Sequence, residues 1–160
     1  MKLFWKKESK ACSILACTSG ATVAMKDISD TVFSEGILGV CVGIDPDVEK
    51  IISPADGVIT QVSETSHALG INADCGAEIL IHVGIDTVQL MGEGFSVLVS
   101  EGEKVCAGKT LMTFDKNKIR EAGYDPTVIT AITNSSQFAD VKLVAGSRAR
   151  AGEALFEIQK

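Results

Sequence analysis

The chain has 160 residues, a high aliphatic content, few aromatic residues and a formal net charge of −6. This length suits a single domain, and the acidic balance argues against a nucleic-acid-binding protein, which would present a basic face. The same balance favours a partner with a basic docking surface. No apolar run is long enough to span a bilayer.

Residues 1–15 are predicted to form a flexible N-terminal segment, and residues 16–160 a single domain. The segment carries lysines on both sides of Leu-Phe-Trp at 3–5, and this pattern would contact an anionic membrane surface only weakly. The apolar run before Cys17 is too short for a cleaved lipoprotein signal. A starting methionine and a compact C-terminal end favour a separate chain over one domain of a permease.

Short strand-like runs, each punctuated by glycine, dominate the chain and predict an all-β domain. They are GILGVCVGI (36–44), DGVITQV (56–62), AEILIHVGI (77–85), SVLVSEG (96–102), TLMTF (110–114) and ALFEI (154–158). The stretch DKNKIREAG (115–123) predicts a helix, because a carboxylate stands at its start and a glycine at its end.

Two stretches of the chain repeat one pattern. SEGEKVCAGKTLMTF (100–114) aligns without gaps on VAGSRARAGEALFEI (144–158), so that glycines, basic residues and leucines coincide. Each predicts two strands around a glycine turn, and SPADGVITQV (53–62) is a third element of that style. Two copies are too few for a solenoid, so the repeat indicates a compact sandwich or barrel with pseudo-symmetry.

The five cysteines are an odd number and show no C-x-x-C spacing. This pattern predicts a reducing, cytosolic setting rather than a disulfide framework or a zinc site. The residues concerned are Cys12, Cys17, Cys41, Cys75 and Cys106.

The strand ILIHVGIDT (79–87) contains one of only two histidines in the chain. Alternate residues of a strand face opposite sides. The core would therefore receive Ile79, Ile81, Val83 and Ile85, and His82 would face the other side. The second histidine, His67, lies on the preceding strand, where Thr65, His67 and Leu69 would share one face.

The segment NADCGAE (72–78) predicts a turn between the two histidine strands. With the turn centred between Asp74 and Cys75, antiparallel pairing places His67 directly opposite His82. Directly opposed residues have Cα atoms roughly 5 Å apart, so the two imidazoles would touch.

Two opposed imidazoles on a face away from the core indicate a functional site. Neutral imidazole is a nucleophile near pH 7 and can accept a phosphoryl group, while a second ring donates a hydrogen bond to the phosphoryl oxygens. Thr65 would fix the tautomer of His67. Asp86 is too far along the strand to orient the ring of His82, so we place it on the rim, where a partner's arginine would meet it.

Three other interpretations remain open. The two histidines would ligate zinc if a partner's carboxylate completed the site, although catalytic zinc usually has three protein ligands. The stretch GEKVCAGKTLMTFDK (102–116) is similar to the hairpin before the lipoylated lysine of lipoyl domains, but here Asp115-Lys116 leads into the predicted helix. A β-rich binding module without chemistry would leave both histidines incidental.

Nearly the whole chain, about residues 16 to 158, resembles one protein family. The stretch AEILIHVGIDTVQLMGEGF (77–95) is similar to the phosphorylation-site signature of the glucose-family enzyme IIA (glucose, sucrose and β-glucoside type) of the bacterial phosphoenolpyruvate:sugar phosphotransferase system. Further matching segments are DTVFSEGILG (30–39), ISPADGVI (52–59), TSHALGI (65–71), VSEGEKVCAGKTLMTFD (99–115) and EAGYDPTVITAITN (121–134).

The resemblance implies an antiparallel β-sandwich, or barrel-sandwich hybrid, with one or two short helices. It also implies a cytoplasmic phosphotransferase that needs no metal or cofactor. Such a protein accepts a phosphoryl group from the histidine-containing phosphocarrier protein and passes it to a cysteine of a sugar-specific IIB domain. Any membrane contact would come through the permease or weakly through the N-terminus.

The resemblance also assigns residues. His82 matches the phosphorylated histidine, which reacts through Nε2; His67 matches the histidine that stabilises the phosphoryl group; and Thr65 matches the threonine bonded to it. Apolar and acidic positions around the site match those that contact partners: Val32, Phe33, Val88, Asp30 and Asp86.

Two properties stay open at this level. Specificity for the sugar lies in the membrane component, so glucose, N-acetylglucosamine, sucrose, trehalose and β-glucosides all remain candidates. Some family members also regulate permeases or kinases in their unphosphorylated form, so regulatory partners are a further possibility.

Overall fold

A computed structural model describes residues 11–160, and within them the chain forms β-strands and two short helices. The helices are α1 (Thr31–Ser34) and α2 (Lys116–Glu121), and 3₁₀ turns cover Met25–Asp27, Thr87–Leu90 and Ser135–Gln137. The strands are β1 (Ala11–Leu15), β2 (Gly20–Val23), β3 (Val40–Pro46), β4 (Lys50–Ile52), β5 (Gly57–Val62), β6 (Ala68–Ala73), β7 (Glu78–Ile85), β8 (Phe95–Val97), β9 (Lys104–Val105), β10 (Thr110–Phe114), β11 (Asp125–Ile132), β12 (Asp140–Leu143), β13 (Arg148–Ala149) and β14 (Ala154–Gln159). None of the helices within residues 11–160 is long and apolar enough to cross a membrane.

The strands form one large sheet and two small ones, all with antiparallel pairing. The large sheet has the order β13-β2-β3-β11-β7-β6-β5-β9, and the small sheets have the orders β1-β14-β12 and β4-β10-β8. One apolar cluster contains side chains from all three sheets, such as Ile81, Leu111 and Phe156. The core therefore lies between the large sheet and the two small ones, and the predicted antiparallel β-sandwich with one or two short helices is confirmed.

The repeated pattern corresponds to equivalent strand pairs. The first copy gives β9 and β10, and the second gives β13 and β14; β9 and β13 close opposite ends of the large sheet, while β10 and β14 are each the central strand of a small sheet. The turn of each copy also makes an equivalent backbone hydrogen bond. Gly108 N–H donates to Ser53 O at 2.9 Å, and Gly152 N–H donates to Ala16 O at 3.0 Å. The segment 53–62 is therefore the partner of the first copy, and residues near 16 are the partner of the second.

The helix predicted at 115–123 forms as α2. The side chain of Asp115 accepts a hydrogen bond from Lys118 N–H at 3.1 Å, which satisfies one of the unpaired amides at the helix start. Gly123 follows the helix with φ +89°, a conformation that glycine adopts without steric cost. Both ends of this helix were therefore readable from the sequence.

Strand β1 corrects the N-terminal boundary predicted from the sequence. Residues 11–15 were expected to be flexible, but they pair with β14 from Ala11 opposite Gln159 to Leu15 opposite Ala154. The partner strand β14 is distant in the sequence, so no local sequence pattern predicted this pairing. The predicted membrane contact of Leu-Phe-Trp at 3–5 lies outside the described residues.

The cysteine prediction is also wrong at one point, because Cys12 and Cys75 form a disulfide. The bond joins β1 to the turn between β6 and β7. Cys17 and Cys41 are buried free thiols, and Cys106 is an exposed one. Burial raises the pKa of Cys17 and of Cys41 to about 11, so neither supplies a thiolate near neutral pH.

Reducing this disulfide is expected to lower the free energy of unfolding. The bond closes a loop across 63 residues of sequence separation, and a loop of that size corresponds to roughly 4 kcal/mol in the chain-entropy account. Urea unfolding with and without dithiothreitol measures the change, with Cys106→Ser as the control for an exposed thiol outside the bond. An unchanged unfolding midpoint under reducing conditions would contradict the stabilising role.

A second, smaller apolar cluster consists of Ile28, Phe33, Cys41, Ile85, Ile129 and Ala131. Ile85 was predicted to face the main core with Ile79, Ile81 and Val83, but it packs in this second cluster instead. The alternation of β7 is interrupted at Gly84, which has φ +82°, and the pairing of β7 with β11 shifts register between Val83 and Ile85. The second cluster underlies the histidine site.

Candidate active site

The structure brings the two histidines together. The ring centroids of His67 and His82 lie 4.8 Å apart at an interplanar angle of 84°, and the ring of Phe33 lies 5.2 Å from His82 at 60°. Edge-to-face contacts at these distances are the favoured arrangement of flat rings. His82 is partly exposed, whereas His67 has 8% of its surface exposed.

The hairpin that carries them differs from the prediction by one residue. His82 pairs with Ala68, and Ile79 pairs with Ile71, whereas the predicted register placed His67 opposite His82. The turn holds one residue more than predicted, because Ala73 N–H donates to Ala77 O at 2.8 Å. A shift of one residue normally moves a side chain to the opposite face of the sheet.

His67 still meets His82 because β6 does not extend back to it. The strand begins at Ala68, and Ser66 adopts the left-handed conformation with φ 63°. The predicted alternation of Thr65, His67 and Leu69 therefore does not exist, and Leu69 alone of the three points into the main core. The carbonyl of His67 accepts a hydrogen bond from Val83 N–H at 2.8 Å, which ties this turn to β7.

The local backbone sets the tautomer of His82. Its Nδ1 lies 2.7 Å from the carbonyl oxygen of Gly84, and a carbonyl can only accept, so Nδ1 carries the proton. Nε2 then holds the free lone pair. The left-handed φ of Gly84 allows this carbonyl to turn toward a ring two residues earlier.

His67 is held by hydroxyl groups of the preceding turn. Its Nδ1 lies 2.8 Å from Thr65 Oγ1 and 3.4 Å from Ser63 Oγ. Ser63 Oγ also accepts the amide of Ala68 at 3.1 Å. When a hydroxyl donates to Nδ1, the remaining proton of His67 is on Nε2, which becomes a hydrogen-bond donor.

Both imidazoles are neutral near neutral pH. Burial lowers the pKa of His67 to about 4, with the neighbouring His82 lowering it further and Thr65 opposing the shift. Burial also lowers the pKa of His82, while the Gly84 carbonyl and the charges of Asp30 and Asp86 act in the opposite direction. A neutral ring has the lone pair that a nucleophile needs.

The lowered pKa of His67 predicts that acidification destabilises the fold. The folded state disfavours the charged ring, so this contribution is fully present above the ordinary pKa of 6.5 and is lost as the pH falls toward about 4. Urea unfolding between those two pH values measures it. We expect the slope of unfolding free energy against pH to be smaller in His67→Gln by up to about 1.4 kcal/mol per pH unit; equal slopes would contradict the neutral, buried state.

The residues predicted to contact partners fall into three situations. Val32 and Val88 are exposed at 40% and 43%, while Phe33 is 3% exposed and packs against His82. Phe33 is therefore a wall of the site rather than a presented side chain. Asp30 begins α1, with its carboxylate accepting Val32 N–H at 2.9 Å, and Asp86 lies exposed before the 3₁₀ turn Thr87–Leu90.

Within residues 11–160, His, Cys, Asp and Glu side chains form no group of three or more that could hold a metal ion. The groups around the histidines are hydroxyls, a backbone carbonyl, an aromatic ring and two carboxylates that act on His82 electrostatically. Such a site can support nucleophilic chemistry at a ring nitrogen.

Comparison with known proteins places this geometry in a family. A family model described as "phosphoenolpyruvate-dependent sugar phosphotransferase system, EIIA 1" matches residues 12–138. The chain belongs to this EIIA family. The sequence resemblance to an EIIA component of the sugar phosphotransferase system is thereby confirmed.

Individual EIIA proteins agree with this assignment. The chain is 41% identical over 140 residues to the glucose-specific EIIA component of Bacillus cereus, covering 88% of this chain and 85% of that protein. It is 42% identical over 120 residues to the β-glucoside-specific EIIBCA component of Bacillus subtilis, covering 75% of this chain but only 20% of that protein. The chain thus spans a fifth of the length of this multidomain relative.

A solved EIIA structure shares the fold. Glucose permease IIA from Mycoplasma capricolum superposes with a TM-score of 0.80 at 29% identity, covering 96% of this chain and 99% of that one.

Sequence reasoning missed three contributors to this EIIA site. Ser63 contacts His67, Gly84 supplies the carbonyl for His82, and Thr87 is a fully buried hydroxyl next to that glycine. Of the three, only Gly84 was visible as a signal in the sequence, because it is a glycine between the bulky residues Val83 and Ile85 of the histidine strand. The two hydroxyl residues have no local pattern that distinguishes them from other serines and threonines.

Proposed function

We propose that this EIIA domain carries a phosphoryl group on Nε2 of His82. It accepts the group from the histidine-containing phosphocarrier protein and passes it to a cysteine of a sugar-specific IIB domain, in the cytoplasm and without a metal ion. The observation that carries this proposal is the bond between His82 Nδ1 and the Gly84 carbonyl at 2.7 Å. That bond leaves Nε2 as the nucleophilic nitrogen.

In the accepting step, the lone pair of His82 Nε2 attacks the phosphorus of the donor's phosphohistidine. The new N–P bond forms as the donor's N–P bond breaks, and its electron pair returns to the donor imidazole. The phosphorylated ring of His82 is positively charged, because Nδ1 keeps its proton. The Gly84 carbonyl and the carboxylates of Asp30 and Asp86 stabilise that charge, as they favour the charged ring in the free protein.

In the donating step, a cysteine thiolate of the IIB domain attacks the same phosphorus. The S–P bond forms, the Nε2–P bond breaks, and its electron pair returns to His82. The neighbouring ring of His67, with Nε2 protonated, donates a hydrogen bond to a phosphoryl oxygen and stabilises the charge that develops in this donating step. Catalysis then comes mainly from positioning and charge stabilisation.

The surface around the histidines suits brief docking. The exposed side chains of Val32 and Val88 offer apolar contact, and Asp30 and Asp86 add negative charge beside it. A partner with an apolar patch and a basic rim would dock quickly, exclude water from the labile N–P bond and leave again. Two relatives of this chain are β-glucoside-specific proteins named EIIBCA, and this supports a IIB domain as one such partner.

The cellular compartment of the protein determines whether the disulfide between Cys12 and Cys75 is oxidised or reduced. In a reducing cytoplasm the pair Cys12 and Cys75 would be in the dithiol form. The bond joins β1 to the β6–β7 turn and contributes no group to the histidine site. We therefore expect phosphoryl transfer by the reduced protein as well.

The test is the intact mass of the protein after incubation with phosphoenolpyruvate, enzyme I and the phosphocarrier protein. We expect the mass of one phosphoryl group to be added at neutral pH and to be lost on acidification. With isolated, already phosphorylated phosphocarrier protein as the donor, we expect the same mass to be added in the presence of a metal chelator. No added mass with donors that phosphorylate a known EIIA protein would overturn the proposal. Dependence on a metal ion would overturn its metal-independent form.

A further inference from the structure

Thr87 is a buried polar residue that the proposed chemistry does not yet use. Its side chain has 0% of its surface exposed, and its hydroxyl donates to the carbonyl of Val83 at 2.5 Å. It opens the 3₁₀ turn directly after Asp86, whose φ is 63°. A buried hydroxyl at this point of the chain therefore holds the backbone of β7 where the strand leaves its regular pairing.

The contact lies beside the carbonyl that sets the tautomer of His82. The Val83 carbonyl belongs to the peptide on one side of Gly84, and the Gly84 carbonyl belongs to the peptide on the other side. A Cβ atom added to Gly84 would lie 2.4 Å from Thr87 Cγ2, so the methyl group of Thr87 packs directly against Gly84. Thr87 thus restrains a glycine through both its hydroxyl and its methyl group.

This restraint has a consequence for the ring. Glycine has the widest backbone freedom of any residue, and β7 pairs regularly with β11 only as far as Val83 before the register shifts. Without a restraint at this break, the Gly84 carbonyl could rotate away from His82 Nδ1. The proton would then distribute between the two ring nitrogens, and Nε2 would lose its lone pair in part of the molecules.

We propose that Thr87 is a positioning residue for phosphoryl transfer, which holds the Gly84 carbonyl against Nδ1 of His82 and thereby keeps Nε2 free to react. This inference rests on the proposed function, since it assigns the same nitrogen as the nucleophile. The amide of Val83 also bonds the His67 carbonyl at 2.8 Å. The clamped segment therefore joins both histidines.

The test compares Thr87→Val, which keeps the shape but lacks the hydroxyl, with Thr87→Ser, which keeps the hydroxyl. The first readout is ¹⁵N NMR of the His82 ring in the unphosphorylated protein at neutral pH, which reports the tautomer without any donor. The second readout is the initial rate of phosphoryl acceptance, and urea unfolding measures stability separately. Thr87→Ala serves as a second hydroxyl-free variant if the valine does not fold.

We expect the hydroxyl-free variant to show a mixture of His82 tautomers and to accept phosphoryl about tenfold or more slowly. Thr87→Ser is expected to keep the Nδ1–H tautomer and most of the rate. A hydroxyl-free variant that loses stability but keeps the wild-type tautomer and rate would overturn the inference. If the wild-type protein accepts no phosphoryl group, the proposed function fails, while the NMR comparison still decides whether Thr87 sets the tautomer.

Discussion

Replacing His82 with glutamine is expected to abolish phosphoryl acceptance while the fold is retained. Glutamine can still place an amide near the Gly84 carbonyl, but it has no nucleophilic ring nitrogen. Removing the nucleophile should lower the rate by at least about a thousandfold. The measurement is the intact mass after incubation with phosphoenolpyruvate, enzyme I and the phosphocarrier protein.

The chain offers a matched control for this experiment. Only two histidines are present, so His67→Gln tests whether the loss of any imidazole has the same effect. Circular dichroism and urea unfolding show whether His82→Gln keeps its structure. An acid-labile phosphoryl group on folded His82→Gln at the wild-type level would mean that another residue is the acceptor.

Replacing His67 with glutamine is expected to leave acceptance largely intact and to block onward transfer. The tautomer of His82 is set by Gly84 at 2.7 Å and does not depend on His67, so the nucleophile remains complete. In the donating step His82 is the leaving group. A hydrogen-bond donor must then stabilise the charge on the phosphoryl group as this group moves from nitrogen to sulfur. Removing one such donor typically costs about 10²–10³ in rate.

The measurement for this variant is single-turnover transfer from the phosphorylated protein to a purified IIB domain. We expect the phosphorylated variant to accumulate and its phosphoryl group to leave about a hundredfold or more slowly than in the wild type. Thr65→Val is the companion variant, because it removes the hydroxyl at 2.8 Å from His67 Nδ1 but leaves the ring. Wild-type transfer by His67→Gln would assign this ring a structural role only.

The local parts of the fold could be predicted from the sequence. Glycine-bounded alternating runs indicated the strands, and Asp115 and Gly123 indicated the ends of α2. The pairing of β1 with β14 and the bond between Cys12 and Cys75 join residues far apart in the chain. No local pattern encodes such pairings, so both were missed.

The site could be predicted in its residues but not in its geometry. Two histidines near one turn indicated a shared site, yet the turn holds one residue more than the pattern suggested. Their rings meet because β6 begins only at Ala68, so that His67 follows the left-handed Ser66 outside the strand. The break in alternation at Gly84 likewise moved Ile85 out of the main core. Backbone conformations of this kind depend on the surrounding packing, which the sequence does not state.

Phosphorylation of His82 at Nε2 is tested most directly by ¹⁵N NMR of the phosphorylated protein with labelled histidines. The spectrum reports which histidine, and which of its ring nitrogens, bonds to phosphorus. We expect one phosphohistidine, at Nε2 of His82, with the proton retained on Nδ1 facing the Gly84 carbonyl. A phosphoryl group on Nδ1 of His82, or on His67, would contradict this expectation.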